Sequence, residues 1–164
     1  MNAPKMEYIA TNLRRYTFEN QKFKEWVESN CGRHVLNLFA GKTRLNVEQE
    51  CRVDIDATMP ATHMDALEFA LHAEENKWLF DTVVLDPPYA YRKAMEMYNG
   101  NYCSKFKRLA DVIPAILAPG GNVISFGYHS TFLGKRRGFY LDKMCVFAHG
   151  GAQHCTIGII ERAI

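Results

Sequence analysis

Residues 81–91 read DTVVLDPPYAY. Val83, Val84 and Leu85 form an unbroken apolar run closed by a turn signal, which is how a strand covered on both faces of a parallel sheet reads. The apolar character then stops at a carboxylate and two prolines. At the carboxyl end of such a strand the backbone emerges into the crevice where open α/β sheets bind ligands. Asp86 is therefore expected at the mouth of that crevice.

Working outward, strand and helix alternate. Toward the amino terminus, HVLNLF (34–39) reads as a buried strand, CRVDI (51–55) as a short second one, and ATHMDA (61–66) as a possible third leading into the helix DALEFALHAEEN. Phe18, Lys22, Phe23, Trp26 and Val27 fall at helical spacing, giving an opening helical segment within residues 1–30 that stops near Asn30-Cys31-Gly32. Toward the carboxyl terminus a helix spans about Ser104 to Leu117, bent or interrupted by Pro114 and capped at APGG. NVISFG (122–127) is the next strand, and FYLDKMCVF (139–147) with HCTIGII (154–160) closes the chain as an antiparallel pair. The fold class is α/β, a mostly parallel sheet with a C-terminal antiparallel hairpin.

The 164 residues fit one domain, 1–164, and 48% hydrophobic content with 12% aromatic supplies a sizeable core. No apolar run reaches the ~18–20 residues of a membrane span, and MNAPKMEYIA has no signal-peptide core, so a cytoplasmic protein with no membrane partner is expected. The five cysteines are scattered, without the close pairs of zinc or redox motifs, and read as free structural thiols. Charge is uneven: residues 51–100 hold four Lys/Arg against nine Asp/Glu, and 101–164 hold eight against three. Such a division suits different partners on different faces. His149 and His154 flank a Gly-Gly turn with no third ligand at metal spacing, so no metal is expected.

VLNLFAGKT, VDID, HMDALEF and VVLDPPY follow one another in that order, each at a strand's carboxyl end. Over nearly the whole chain this resembles a class I S-adenosylmethionine-dependent methyltransferase, of the DPPY subgroup that methylates exocyclic amines as N6-adenine methyltransferases do. The resemblance implies a Rossmann-like single-domain fold and S-adenosylmethionine as cofactor. It places Asn37, Phe39, Ala40 and Gly41 under the cofactor, Asp54 on the ribose hydroxyls, and Asp65 with the Ala66 backbone at the adenine. The stretch Tyr16-Thr17-Phe18 falls where related enzymes lay a segment over the methionine end, so Thr17 and Phe18 join that set. Bland readings stand beside these: Asp65 suits a helix N-cap, Gly41 an ordinary turn, and Asp56 competes with Asp54 for the ribose.

This sequence also departs from the family pattern. Asn37 stands where an acid is common and Lys42-Thr43 where a second glycine is, and only twelve residues separate Gly41 from Asp54. No phosphate loop of the form G-x-x-x-x-G-K-[ST] is present.

The chemistry of DPPY follows from its residue types. An exocyclic amine conjugated with its ring is a poor nucleophile until acceptors at its hydrogens hold the nitrogen out of conjugation. The Asp86 carboxylate and the Pro87 carbonyl supply two, Pro87 and Pro88 fix the backbone, and Tyr89 stacks on the base. Tyr128 and His129 follow the next strand, and Lys135, Arg136 and Arg137 form a cationic run suited to phosphates. The expected partner is nucleic acid, DNA or RNA. Guanine N2 of RNA, a protein glutamine amide, or a non-catalytic nucleic-acid-binding module on a decayed fold are the alternatives.

Overall fold

A computed structural model describes residues 3–87 and 105–164. Eight strands form one sheet: β1 Lys5–Ala10, β2 His34–Asn37, β3 Gln49–Asp54, β4 Thr62–His63, β5 Phe80–Leu85, β6 Leu117–Gly127, β7 Phe139–Ala148 and β8 Thr156–Ala163. Among the described residues three helices accompany them, α1 Gln21–Glu28, α2 Ala66–Glu75 and α3 Lys105–Ile116. The spatial order is β1-β7-β8-β6-β5-β2-β3-β4. Every pairing is parallel except those of β8 with β6 and β7. The expected mostly parallel sheet and closing hairpin are both present.

The sheet buries two cores, one on each face. Leu36, Leu38, Val83, Leu85 and Val123 pack under α2 and α3. Val35, Val84, Ile124 and Ile160 pack under α1, which contributes Phe23, Trp26 and Val27 at i, i+3 and i+4. The alternation of Val83, Val84 and Leu85 between the two cores is why that strand reads as continuously apolar. Phe23 stacks on Phe147 at 4.0 Å, and Trp26 meets Phe147 edge-on at 5.5 Å. These rings close over Gly158, where an added Cβ would lie 3.0 Å from Phe126, Phe147 and Trp26 alike. A glycine is needed there to let the aromatic layer reach the strand.

Three features differ from the sequence reading. The expected opening helix is present as α1, ending at Glu28 close to Asn30, but it is not the first element: KMEYIA is an edge strand parallel to β7, with Glu7 accepting from Trp26 Nε1 at 2.6 Å. Its partner lies more than a hundred residues away, so no local signal marks it. Pro114 does not interrupt α3, which runs on to Ile116. The strand after it starts at Leu117, not at Asn122, with an irregularity holding Gly120 at φ 77° before regular pairing resumes at Thr82–Asn122.

Candidate active site

From β2 the chain runs outward to β3 and β4 on one side, then crosses back to β5 and β6 on the other. The chain therefore reverses its direction of travel between β2 and β5, and ligands of open α/β sheets bind at the carboxyl ends of strands at such a point. A cavity of about 530 Å³ opens there.

The segment after β2 forms one wall: Phe39, Ala40 and Gly41 line the cavity, as do Lys42 and Thr43. Gly41 has φ 56°, a left-handed backbone that favours glycine, and its N–H donates to Asp54 Oδ2 at 2.9 Å. Tyr16 packs on this turn, its ring Cδ1 3.5 Å from the place a Gly41 Cβ would take. Tyr16, Thr17 and Phe18 all line the cavity, so the amino-terminal stretch closes the side left open by the short segment.

Asp54, Asp56, Asp65 and Ala66 line the acidic wall. The other oxygen of Asp54, Oδ1, accepts the Asp56 N–H at 2.9 Å, which leaves lone pairs on both carboxylate oxygens for further donors. Asp56 is committed to its own turn, accepting from the Thr58 hydroxyl at 2.7 Å and the Thr58 N–H at 2.9 Å. Those two bonds hold the Asp56 carboxyl below its ordinary value. β3 ends at Asp54, so alternation stops there, and Ile55 reaches the same cavity as both acids although Val53 points into the core. Asp65 does cap α2, accepting from Leu67 N–H at 3.0 Å and Glu68 N–H at 3.3 Å, and also faces the cavity.

Asp86 and Pro87, directly after β5, complete the wall opposite, with Phe126 and Tyr128 beside them. Pro88 and Tyr89 lie outside the described residues. Nearly all the expected cofactor residues thus meet Asp86 around one cavity.

Other expected residues do not reach it. Asn37 is fully buried; its Nδ2 donates to Glu50 Oε1 at 3.1 Å, and its Oδ1 has no hydrogen-bond partner among the described residues. His129 does not line the cavity. Lys135, Arg136 and Arg137 form a 3-10 turn at the start of β7, the opposite end of the sheet from Asp86. Gly138 accepts from Ile164 N–H, while Leu85 is level with Ser125 and Ile159. Five residues of strand separate those levels, roughly 16 Å. Arg137 is also paired with Asp111 on α3 at 2.7 Å.

The sequence reading missed what supports the glycine turn. Arg52 is 5% exposed. Its Nη2 donates to the Gly41 carbonyl at 2.8 Å and the Ala40 carbonyl at 3.2 Å, and its Nη1 to the Thr43 carbonyl at 2.8 Å and to Glu50 at 3.0 Å. Nε reaches the Pro60 carbonyl at 3.1 Å. The signal was present in QECRVD, where Glu50, Arg52 and Asp54 alternate onto one face. Charges on one face of an interior strand have to be paired.

No family model matches the chain, and no curated protein matches it. Among solved structures it is similar to N-methyltransferase NodS from Bradyrhizobium japonicum WM9, at 13% identity and TM-score 0.62, over 92% of this chain and 99% of that one. TrmN from Thermus thermophilus aligns at 18% identity and TM-score 0.56, over 88% of this chain and 48% of TrmN. A SAM-dependent methyltransferase from Agrobacterium tumefaciens aligns at 16% and 0.54, over 87% and 59%. The chain thus spans about half to three-fifths of the length of the latter two. Likeness at such identities speaks for architecture alone, and the architecture is that of the S-adenosylmethionine-dependent methyltransferases.

Proposed function

We propose that this protein transfers a methyl group from S-adenosylmethionine to an exocyclic amine, adenine N6 in DNA or RNA. The observation that carries the proposal is that the Gly41 turn with Asp54 and the Asp86-Pro87 strand end open into one cavity at the reversal point of the sheet. Similarity in fold to NodS, which is named an N-methyltransferase, supports the same reading.

The donor set suits the cofactor. Asp54 keeps acceptor lone pairs for two ribose hydroxyls after satisfying Gly41 and Asp56. The backbone of residues 39–41 lines the cavity without side-chain bulk at Gly41, and Asp65 with Ala66, on the same cavity, would meet the adenine amine with an acceptor. When bound, S-adenosylmethionine supplies a sulfonium methyl: the amine lone pair forms the new N–C bond, the C–S electrons return to sulfur, and an amine proton leaves to water. Asp86 and the Pro87 carbonyl would accept the two amine hydrogens and hold the nitrogen pyramidal. An ionised carboxylate already in position stabilises the positive charge that develops on nitrogen more than it stabilises the neutral amine. Tyr89, from the sequence, would supply the stacking face.

Mass spectrometry of nucleosides from DNA and RNA incubated with the protein and labelled cofactor tests the reading. N6-methyladenine is expected; label on guanine N2 or on a protein amide would move the acceptor, and no label with no binding of S-adenosylhomocysteine would overturn the enzyme reading. Asp86→Ala is expected to lower turnover by about 10²-fold or more while leaving S-adenosylhomocysteine affinity intact. Asp54→Ala should weaken that affinity by about 1.5–3 kcal/mol and Asp56→Ala much less, as calorimetry would show. A larger loss at Asp56 would reassign the ribose.

A further inference from the structure

We infer that a nucleic-acid strand is held by its phosphates at the rim made of Arg14, Arg15, Lys42 and Arg44, and not by the Lys135-Arg136-Arg137 turn. The inference rests on the methyltransferase reading of the same cavity.

The four cations belong to the two segments that close one side of the cavity, the amino-terminal stretch and the turn after β2. Arg15 and Lys42 line the cavity itself together with Asp86. Both converge on one aromatic ring: the Arg15 guanidinium carbon is 5.6 Å and Lys42 Nζ 5.0 Å from the centroid of Tyr16. Two cations on a single ring repel each other, and an exposed ring face offsets only about 0.5–1 kcal/mol for each cation. An anion between them offsets more. Arg14 and Arg44 are exposed on the same two segments, and none of the four makes an ion pair with an acid among the described residues.

The rest of the cavity wall is acidic, with Asp54, Asp56, Asp65 and Asp86. A polyanion is repelled by those carboxylates, so a base reaches Asp86 most readily if its phosphates stay at the cations, of which Lys42 is near enough to Asp56 to help hold that carboxyl down. Four cations along a rim suit a strand with a charge at every nucleotide better than they suit a single anion. The rival turn is roughly 16 Å along the strands from the level of Leu85, and one of its three cations is already neutralised by Asp111.

The test is fluorescence anisotropy of a labelled short single-stranded oligonucleotide against salt, with calorimetry of S-adenosylhomocysteine on the same proteins. R14Q/R15Q/K42Q/R44Q is expected to lower the slope of log affinity against log salt by about 0.7 for each phosphate no longer neutralised, so by about 2.8 if all four cations engage. K135Q/R136Q is expected to leave the slope unchanged, and it and R14Q/R44Q, whose residues lie outside the cavity lining, to bind S-adenosylhomocysteine like the wild type. The inference is overturned by an unchanged slope in the fourfold variant, by the loss appearing instead in K135Q/R136Q, or by a wild type that binds S-adenosylhomocysteine but no oligonucleotide. Loss of S-adenosylhomocysteine affinity in R14Q/R44Q also overturns it, since these cations would then serve the cofactor. An oligonucleotide held at the rim with no S-adenosylhomocysteine bound and no methyl transferred would sink the enzyme reading and leave the rim standing.

Discussion

Two crossovers in this molecule have equal length and no α-helix. β2 reaches β3 through residues 38–48, and β6 reaches β7 through residues 128–138, eleven residues each, the second with a three-residue 3-10 turn. Parallel strands are usually joined through a helix, which satisfies its own backbone. A loop lying on a sheet cannot do that, so its N–H and C=O groups need partners from elsewhere. The two regions answer with side chains of opposite sign. On the first, the Arg52 guanidinium donates to the carbonyls of Ala40, Gly41 and Thr43. On the second, the Glu161 carboxylate, 1% exposed, accepts from Phe132 N–H at 3.1 Å, Leu133 N–H at 2.9 Å and Gly134 N–H at 2.9 Å. The first loop lines the cavity along residues 38–43, the second only through Tyr128, and the stretch 132–134 that Glu161 holds does not reach it. The comparison teaches that an interior charge can replace a helix, and that the same device holds a cavity wall at one end of the sheet and a loop away from the cavity at the other.

Arg52→Met should break the first loop with the largest effect. It removes the donor to several carbonyls and leaves the Glu50 carboxylate buried with, among the described residues, Leu45 N–H and Asn37 Nδ2 as partners. Removing one member of a buried pair costs about 3–5 kcal/mol. Adding Glu50→Gln should recover much of that stability, because the stranded charge is gone, yet should not recover S-adenosylhomocysteine affinity, because the carbonyls of the glycine turn remain unheld. Urea denaturation and calorimetry on the single and double variants separate the two effects. Affinity returning together with stability would show that Arg52 does not position the turn.

Glu161→Ala should cost less, about 3 kcal/mol, as three backbone N–H groups lose their acceptor without any charge being stranded. Glu161→Gln, with one acceptor oxygen, should fall between. In both, S-adenosylhomocysteine affinity is expected to stay at the wild-type value, since residues 132–134 do not line the cavity. A drop in affinity matching that of Arg52→Met would erase the distinction between the two loops.

The site is more legible in the sequence than the means of holding it. Asp54, Asp65 and Asp86 each follow a strand, and strand ends can be read from local apolar runs; their meeting at one cavity then follows from the order of a parallel sheet. Glu50 and Arg52 sit in the same strand as Asp54, but which face they occupy, and that no helix covers it, depends on tertiary packing. Asn37 illustrates the opposite failure: the resemblance sets it, within the strand, beside the cofactor, and Glu50 takes its side chain instead. Lys135, Arg136 and Arg137 read as a phosphate patch because cationic runs carry no information about the end of the sheet they occupy. β1 is illegible for a different reason. Lys5–Ala10 has one face exposed and finds its partner in β7, so neither local periodicity nor a hairpin turn announces it.

That edge strand offers the smallest and last test, a carboxylate of the same kind as Glu161 but only partly buried. Glu7 accepts from Trp26 Nε1 and pairs with Lys5 at 2.8 Å and Lys143 at 3.6 Å. Burial pushes its carboxyl upward, but the bonds from Lys5 and Trp26, with the charges of Lys143 and Lys5, outweigh that and hold it below its ordinary value of 4.5. A carboxyl depressed in the folded state binds protons less tightly than in the unfolded chain, so its stabilisation is present above 4.5 and is lost as pH falls through the lower folded value. Because Lys5 is exposed and Glu7 itself only partly buried, the contribution should be about 0.5–1 kcal/mol. Glu7→Gln keeps an acceptor for Trp26 and removes the charge, so it should lower the melting temperature slightly at neutral pH and match the wild type in acid, where Glu7 is protonated. Melting curves across that range are the measurement. A Glu7→Gln deficit that persists undiminished in acid would mean that the carboxylate matters for its shape and not for its charge, and that a partly exposed charge here does nothing a buried one must.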